Sequence, residues 1–430
     1  MPTGSGKKRV VITGIGGVTC LGHDAASTWE GMRSGRSGIV PIDFTDAMFS
    51  RYQHDWPVTI AGRCAGWEAP ADVIEPRESK RLDRSTQFGI TAAMEAVRQS
   101  GIDFAKEDPE RCGVVFGSGI GGITTIEDNL RTLEDKGPHR ISPFCVPRLM
   151  VNATAGNVSI RLGLQGPASA HATACASSGH AIGDAVEYIR RGLADVMISG
   201  GCEAAVTPLC IGAFMVMKAL STRGDDPTKA SRPFDQGRDG FVLSEGAGAC
   251  VLESEEHARA RGAEILAEVV GHANSSDAHH ITAPDAQGRG ASNSMKWALR
   301  DAGLNASDID YVNAHGTSTP LGDAAEVAAV LGLFGDHARK SAGGKLLMSS
   351  TKSVHGHCLG ASGAVELIAC VRAIRDGVVP PTINLESPDE GFDLDLVPNE
   401  ARERRVRYAM NNTFGFGGHN VTLILGRYEG

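Results

Sequence analysis

Residues 168–192, ASAHATACASSGHAIGDAVEYIRRG, change character at their centre. A short run of small, β-compatible residues ends near Cys175. After it Ala181, Ile182, Ala185, Val186 and Ile189 recur at helical spacing as far as Gly192, a helix-stopping residue. The chain therefore passes from strand to helix at a cysteine. A thiol at a helix N-terminus faces unpaired N–H groups, which predicts a pKa lowered from about 8.5 to roughly 3.5–7.5. A lone cysteine among alanines is more often a small buried hydrophobe, so the rest of the chain has to decide.

Working outward, short apolar runs alternate with amphipathic stretches. RVVITGIG, RCGVVFGSG, ADVMISGG, DYVNAHG and KLLMSST read as buried strands, and TQFGITAAMEAVRQSG as a helix. The pattern is α/β with a largely parallel sheet. It also repeats. GVVFGSG near Gly113 has a counterpart in DYVNAHG near Asp310, and the helix after Cys175 has one in SGAVELIACVRAIRDG, Ser362 to Gly377. This predicts two duplicated halves, residues 1–262 and 263–430, the first carrying the cysteine. The segment from Pro41 to Lys80 is less periodic and reads as an excursion over the core.

Composition narrows the function classes. At 430 residues, with 41% hydrophobic and 22% charged residues, the chain can bury a large core. Its net charge of −9 argues against a general nucleic-acid binder. Ten scattered cysteines without a CxxC pair suit a reducing, cytoplasmic setting. The basic N-terminus followed by VVITGIGG is too short and glycine-broken for a secretory signal and reads as a first strand. No apolar run reaches about 18 residues, so no membrane insertion is expected.

Two histidines share the cysteine's kind of setting. His315 in NAHGTSTPLGD and His357 in STKSVHGHCLGASGAVE lie in glycine-flanked junctions after predicted strands, where sites form in open α/β sheets. Lys352 lies five residues before His357, and Glu366 is its nearest acidic partner in sequence if the lysine is buried. The glycine-dense turn NNTFGFGGHN, Asn411 to Asn420, leaves backbone N–H groups available for an oxyanion, with Phe414 and Phe416 covering apolar surface. Its spacing matches neither a dinucleotide fingerprint nor a P-loop. The adjacent His279 and His280 lack a second cluster at ligand spacing, so no metal site is expected.

TACASSG around Cys175, NAHGTSTPLGD, SSTKSVHGHCLGASGAVE and NNTFGFGGHN, with SRPFDQGRDGFVLSEGAG and VPPTINLESPDEG, together resemble the type II beta-ketoacyl-ACP synthases over nearly the whole chain. The resemblance implies a thiolase-like, five-layered α-β-α-β-α fold of two duplicated halves, normally a homodimer. It also implies decarboxylative Claisen condensation of acyl-ACP with malonyl-ACP. On that resemblance Cys175 is the nucleophile, and the backbone N–H groups of Cys175 and Phe416 form the oxyanion hole. His315 and His357 stabilise the enolate, while Lys352 and Glu366 orient the pair. Thr282, Thr317 and Thr319 would hold the phosphopantetheine or malonyl end. Ile120, Cys145 and Phe214 would wall the acyl pocket, with Phe416 as its gate.

The implied partner is the acidic acyl carrier protein, with Lys80, Arg81, Arg140, Arg148, Lys218 and Arg223 as candidate docking cations. No cofactor of the protein's own is implied, because the phosphopantetheine arrives on the carrier. Three positions depart from the family pattern: His355 replaces a small or hydroxyl residue, Cys145 a frequent phenylalanine, and His419 a threonine. The smaller Cys145 predicts room for a longer acyl chain. The same site residues also suit a ketosynthase subunit of a type II polyketide synthase. A non-catalytic chain-length partner usually lacks the cysteine.

Overall fold

The computed structural model describes residues 7–52 and 55–430; residues 1–6 of the anticipated first half lie outside the described residues. Ten strands form one sheet: β1 (Val10–Thr19), β2 (Cys112–Gly117), β3 (Ala168–His171), β4 (Val196–Glu203), β5 (Gly246–Ser254), β6 (Ala267–Ser276), β7 (Tyr311–Asn313), β8 (Leu347–Ser349), β9 (Tyr408–Gly415) and β10 (His419–Gly426). Their order is β8-β7-β9-β10-β6-β1-β5-β4-β2-β3. Within β1–β5 the order runs third, second, fourth, fifth, first, and within β6–β10 it is the same. The pairing directions repeat too: second with third and second with fourth are parallel, fourth with fifth and fifth with first antiparallel. The halves meet where β1 pairs β6 through Val11↔Glu268 and Ile12↔Ala267.

The sheet is thus mixed, not largely parallel as the alternation of strands and helices predicts. The antiparallel share comes from connections that are not crossover helices. β9 and β10 form a hairpin joined through the glycine turn, and only parallel neighbours need a long crossover. Both faces are covered, which explains why β1, β4 and β5 are buried at every position.

Five helices complete the layers: α1 (Arg84–Ser100), α2 (Ser177–Arg190), α3 (Arg289–Ala302), α4 (Pro320–Phe334) and α5 (Ser362–Asp376). The first packs on β1, β4 and β5, and α3 on β6 and β10 with α4 beside it; α2 and α5 touch each other and strands of both halves. The result is α-β-α-β-α. Close approach is set by sequence: a Cβ at Gly16 would lie 2.0 Å from the Ala92 carbonyl oxygen of α1, so only glycine lets that helix seat on β1. In the excursion, Val40–Pro41 pairs with Ile60–Ala61, and Phe44, Phe49 and Trp56 cluster beneath it. Among the described residues no helix is long and apolar enough to cross a membrane.

Candidate active site

Cys175 does not begin α2; it sits in a 3₁₀ turn, Ala174–Ala176, between β3 and that helix. Ala174 takes φ = +50°, a left-handed backbone that a non-glycine residue holds only when its surroundings fix it. They do so here. Ser177 Oγ accepts the Thr173 N–H (2.9 Å) and donates to the Ala174 carbonyl (2.6 Å), while the Ala176 N–H reaches the Thr173 carbonyl (3.1 Å). The turn presents the thiol, 9% exposed, at the bottom of a cavity.

The expected thiolate is corrected by this burial. Desolvation pushes the Cys175 thiol up to about 12, and the charge of Lys352 and the backbone N–H groups of Phe416 and Cys175 offset it only in part. Enclosure penalises the thiolate by more than the nearby N–H groups and Lys352 recover. The thiol's activation therefore depends on a neighbour that takes the proton.

That neighbour is His357. Its Nε2 lies 3.1 Å from Cys175 Sγ, and its Nδ1 2.9 Å from Ser362 Oγ at the start of α5. His315 follows β7, with its own N–H and that of Gly316 donating to the buried carboxylate of Glu326 at 2.9 and 2.7 Å. The two imidazoles stand nearly perpendicular, ring centroids 5.4 Å apart. One atom each from Cys175, His315 and His357 falls within a 4.8 Å span. Burial, then the charge of Lys352, holds both imidazoles well below their usual pKa, so they are neutral at physiological pH.

Lys352 and Glu366 are both buried and in direct contact, which satisfies the partner requirement read from the sequence. Burial pushes the Glu366 carboxyl up and the lysine opposes it. The glycine turn closes the other side. A Cβ on Gly415 would meet the Thr173 carbonyl at 2.8 Å and the Cys175 nitrogen at 3.1 Å, so glycine is what allows this strand end to lie on the cysteine turn. Gly417 and Gly418 take φ of +85° and +73°, making the tight reversal into β10.

A carboxylate that sequence reading did not single out ties these parts together. Glu203, at the end of β4 and fully buried, accepts Gly119 N–H (2.7 Å), Ile120 N–H (3.3 Å), Gly360 N–H (3.0 Å) and Ser118 Oγ (3.0 Å). Burial pushes it up to about 7 despite these four donors. It fixes one pocket wall, at Ile120, to the turn that precedes α5. The only sequence signal was an acidic residue inside the small-residue run GGCEAA.

The cavity above the thiol measures ≈ 510 Å³, and Ile120, Phe214, Phe416, Thr282, Thr317 and Thr319 line it with Lys218. Phe416 packs against Phe214, ring centroids 6.4 Å apart, and the hydroxyls of Thr317 and Thr319 lie 3.0 Å from each other. Cys145 is a correction: it starts the short helix Cys145–Leu149 and does not line the cavity. Its segment leaves the core after β2, and Phe144, Val146 and Met150 around it are exposed. Lys80, Arg81 and Arg140 are exposed and also lie off the cavity lining, Arg81 with its guanidinium over Phe144. Arg148 is half-buried and Arg223 donates to the Gly237 carbonyl.

Three other histidines that the sequence singles out have structural settings. His280 Nδ1 accepts the N–H groups of Thr282 and Ala283, capping a turn. His355 is fully buried with Nε2 3.1 Å from Thr351 Oγ1, and burial holds it down to about 3. His419 is exposed and meets the ring of His180 edge-on.

Comparison with known proteins agrees with this geometry. Residues 7–258 match the family "Beta-ketoacyl synthase, N-terminal domain" and residues 266–386 its C-terminal domain. The chain is 48% identical to 3-oxoacyl-[acyl-carrier-protein] synthase 2 of Coxiella burnetii, over 98% of this chain and 99% of that protein. It is 47% identical to the protein of the same name from Staphylococcus aureus, over 99% and 100%. Among solved structures, a beta-ketoacyl synthase from Burkholderia phymatum superimposes with a TM-score of 0.88 at 36% identity, covering 98% of this chain and all of that one. A ketosynthase complexed with its type II polyketide acyl-carrier protein gives 0.88 at 30% identity, covering 99% and 100%. This chain belongs to the beta-ketoacyl synthase family.

Proposed function

We infer that this chain is a beta-ketoacyl-ACP synthase of type II that condenses acyl-ACP with malonyl-ACP to 3-oxoacyl-ACP in fatty acid elongation. The observation that carries the reading is the convergence of Cys175, His315 and His357 within 4.8 Å at the base of a mostly apolar cavity. In the first half-reaction Cys175 Sγ attacks the acyl thioester carbonyl while its proton passes to His357 Nε2, 3.1 Å away. The N–H groups of Cys175 and Phe416 hold the oxyanion. Collapse of the tetrahedral intermediate leaves an acyl-Cys175, and the imidazolium returns the proton to the departing phosphopantetheine thiolate.

In the second half-reaction malonyl-ACP loses carbon dioxide, and the electron pair moves onto its thioester oxygen as an enolate. His315, neutral through burial, donates a hydrogen bond to that oxygen, and so does His357 in the tautomer that carries its proton on Nε2 while Nδ1 accepts from Ser362 Oγ. The enolate carbon attacks the acyl carbonyl, the C–S bond breaks, and the Cys175 thiolate takes a proton from solvent, the one proton the half-reaction consumes. Lys352 and Glu366 act by positioning and charge. No resident cofactor enters the scheme. Identities of 47–48% with proteins named 3-oxoacyl-[acyl-carrier-protein] synthase 2, against 30% with the ketosynthase of a type II polyketide system, support the elongation reading over the polyketide one.

Two further parts belong to the proposal. A homodimer is supported by the exposed apolar side chains of Leu130, Leu133, Phe144 and Val146 and by the free outer edge of β3 among the described residues. A cytoplasmic setting is supported by ten free cysteines.

The test is intact-protein mass after incubation with acyl-ACPs of graded length, then malonyl-ACP. One acyl adduct per chain, discharged as a product two carbons longer, is the expected result; no adduct at any length with a reduced thiol refutes it. The carrier's docking is tested separately. Lys218 is exposed at the cavity rim, so Lys218→Glu raises KM for acyl-ACP and spares short soluble thioesters. Equal effects on both substrates count against docking there.

A further inference from the structure

Among the described residues, one set of three side chains brings Cys, His, Asp or Glu donor atoms to metal-ligand spacing, and it is Cys175, His315 and His357. We propose that these three side chains form a binding site for a thiophilic divalent cation, Zn²⁺ in the first instance, and that its occupancy reversibly blocks the nucleophile.

The donor set is one sulfur and two imidazole nitrogens, the mixture that suits zinc and excludes hard ions such as Mg²⁺. A tetrahedral zinc with Zn–S near 2.3 Å and Zn–N near 2.0–2.1 Å needs its ligands about 3.3–3.6 Å apart. Cys175 Sγ and His357 Nε2 are 3.1 Å apart and all three donors span 4.8 Å, so ring rotations of a few tenths of an ångström to about 1 Å close the set. The fourth position faces the cavity, where water or a ligand thiol can enter. Outer support is present: Ser362 Oγ lies against His357 Nδ1, which orients that ring. Lys352 is the nearby charge that opposes a cation, and it is paired with Glu366. On binding, the S–H bond of Cys175 breaks, its proton goes to bulk water, and an S–Zn bond forms without redox change.

Occupancy and acylation use the same sulfur, so each excludes the other. Only this inhibitory consequence rests on the condensing role proposed above; binding itself is a property of the protein alone.

Equilibrium dialysis with Zn²⁺, Co²⁺ and Mg²⁺ on the full chain tests the site. Expected are one Zn²⁺ or Co²⁺ per chain, a near-ultraviolet sulfur-to-cobalt charge-transfer absorption, and no uptake of Mg²⁺. Cys175→Ala removes the absorption and weakens binding by more than the roughly 10–100-fold that loss of an outer partner costs. His315→Asn and His357→Asn each weaken it while keeping the absorption. In the wild type, Zn²⁺ slows alkylation of Cys175 by iodoacetamide and EDTA restores it. Zn²⁺ uptake undiminished in Cys175→Ala, absence of the cobalt absorption, or an alkylation rate indifferent to Zn²⁺ overturns the proposal. Acyl-adduct formation is measured on the same metal-free protein, where its failure speaks against the condensing role and leaves the metal result standing.

Discussion

Cys175→Ala abolishes acyl-enzyme formation and lowers condensation by on the order of 10⁴-fold or more, the scale on which loss of a covalent nucleophile acts. Decarboxylation of malonyl-ACP continues. The two activities separate because they use different atoms. The sulfur belongs to the turn after β3, whereas the imidazoles are carried by the segments after β7 and β8, and His315 is held through the backbone by Glu326. Deleting one sulfur atom leaves His357 held at Nδ1 by Ser362 Oγ and the His315 backbone held by Glu326. With no acyl acceptor the enolate takes a proton instead, and malonyl-ACP is converted to acetyl-ACP and carbon dioxide. Measuring released carbon dioxide alongside 3-oxoacyl product decides the matter; loss of both activities in a folded variant means that the histidines depend on the cysteine.

The second large effect is on stability. Lys352→Met destabilises the fold by about 3–5 kcal/mol at pH 8, because it leaves Glu366 buried without its counter-charge. The loss is pH-dependent, and its sign is fixed. Burial already raises the Glu366 carboxyl above its unfolded value, and removal of the lysine raises it further. A carboxyl with a raised folded pKa is tolerated in full below its unfolded pKa near 4.3–4.5 and costs stability as pH rises through the folded value. The variant is therefore closest to wild type at about pH 5 and furthest from it at pH 8. Adding Glu366→Gln flattens that dependence and restores much of the stability. It does not restore condensation, because the positive charge that Lys352 holds beside His315 and His357 is still missing from the site. Thermal unfolding across pH for both variants checks this, and a pH-independent loss in Lys352→Met contradicts it.

Where the sequence was informative, it was so through local grammar. The break from small residues to helical spacing at Cys175 and the echo between its helix and Ser362–Gly377 carried the duplicated fold, because glycine stops and apolar periodicity are readable within one segment. His315 and His357 were found as histidines at strand ends, and Lys352 with Glu366 as a pair that needed each other. The misses are three-dimensional. The thiol's raised pKa depends on enclosure by segments as distant as Phe416 and His357, which no helix rule at residue 175 contains. Glu203 and Glu326 work by receiving backbone N–H groups, so nothing in their spacing marks them. Cys145 was placed by family position, and its segment in fact leaves the core. The mixed sheet was misjudged because a hairpin and a crossover look alike when only strands and helices are counted.

The left-handed residue before the nucleophile has a twin. Leu359, before α5, takes φ = +45° as Ala174 takes +50°, and each opens a 3₁₀ turn leading into a central helix. The position matching Cys175 is then Gly360. A Cβ there would lie 2.3 Å from the Gly119 nitrogen and 2.7 Å from a Glu203 oxygen. The scaffold thus holds two equivalent sockets, of which one is filled by sulfur and the other closed by the Gly119 backbone and the Glu203 carboxylate. A chain built as a near-symmetric pair is, in this sense, one-handed: the first half does the bonding, the second supplies the imidazoles, and no second reaction centre can arise at residue 360 until both the Gly119 backbone and Glu203 give way.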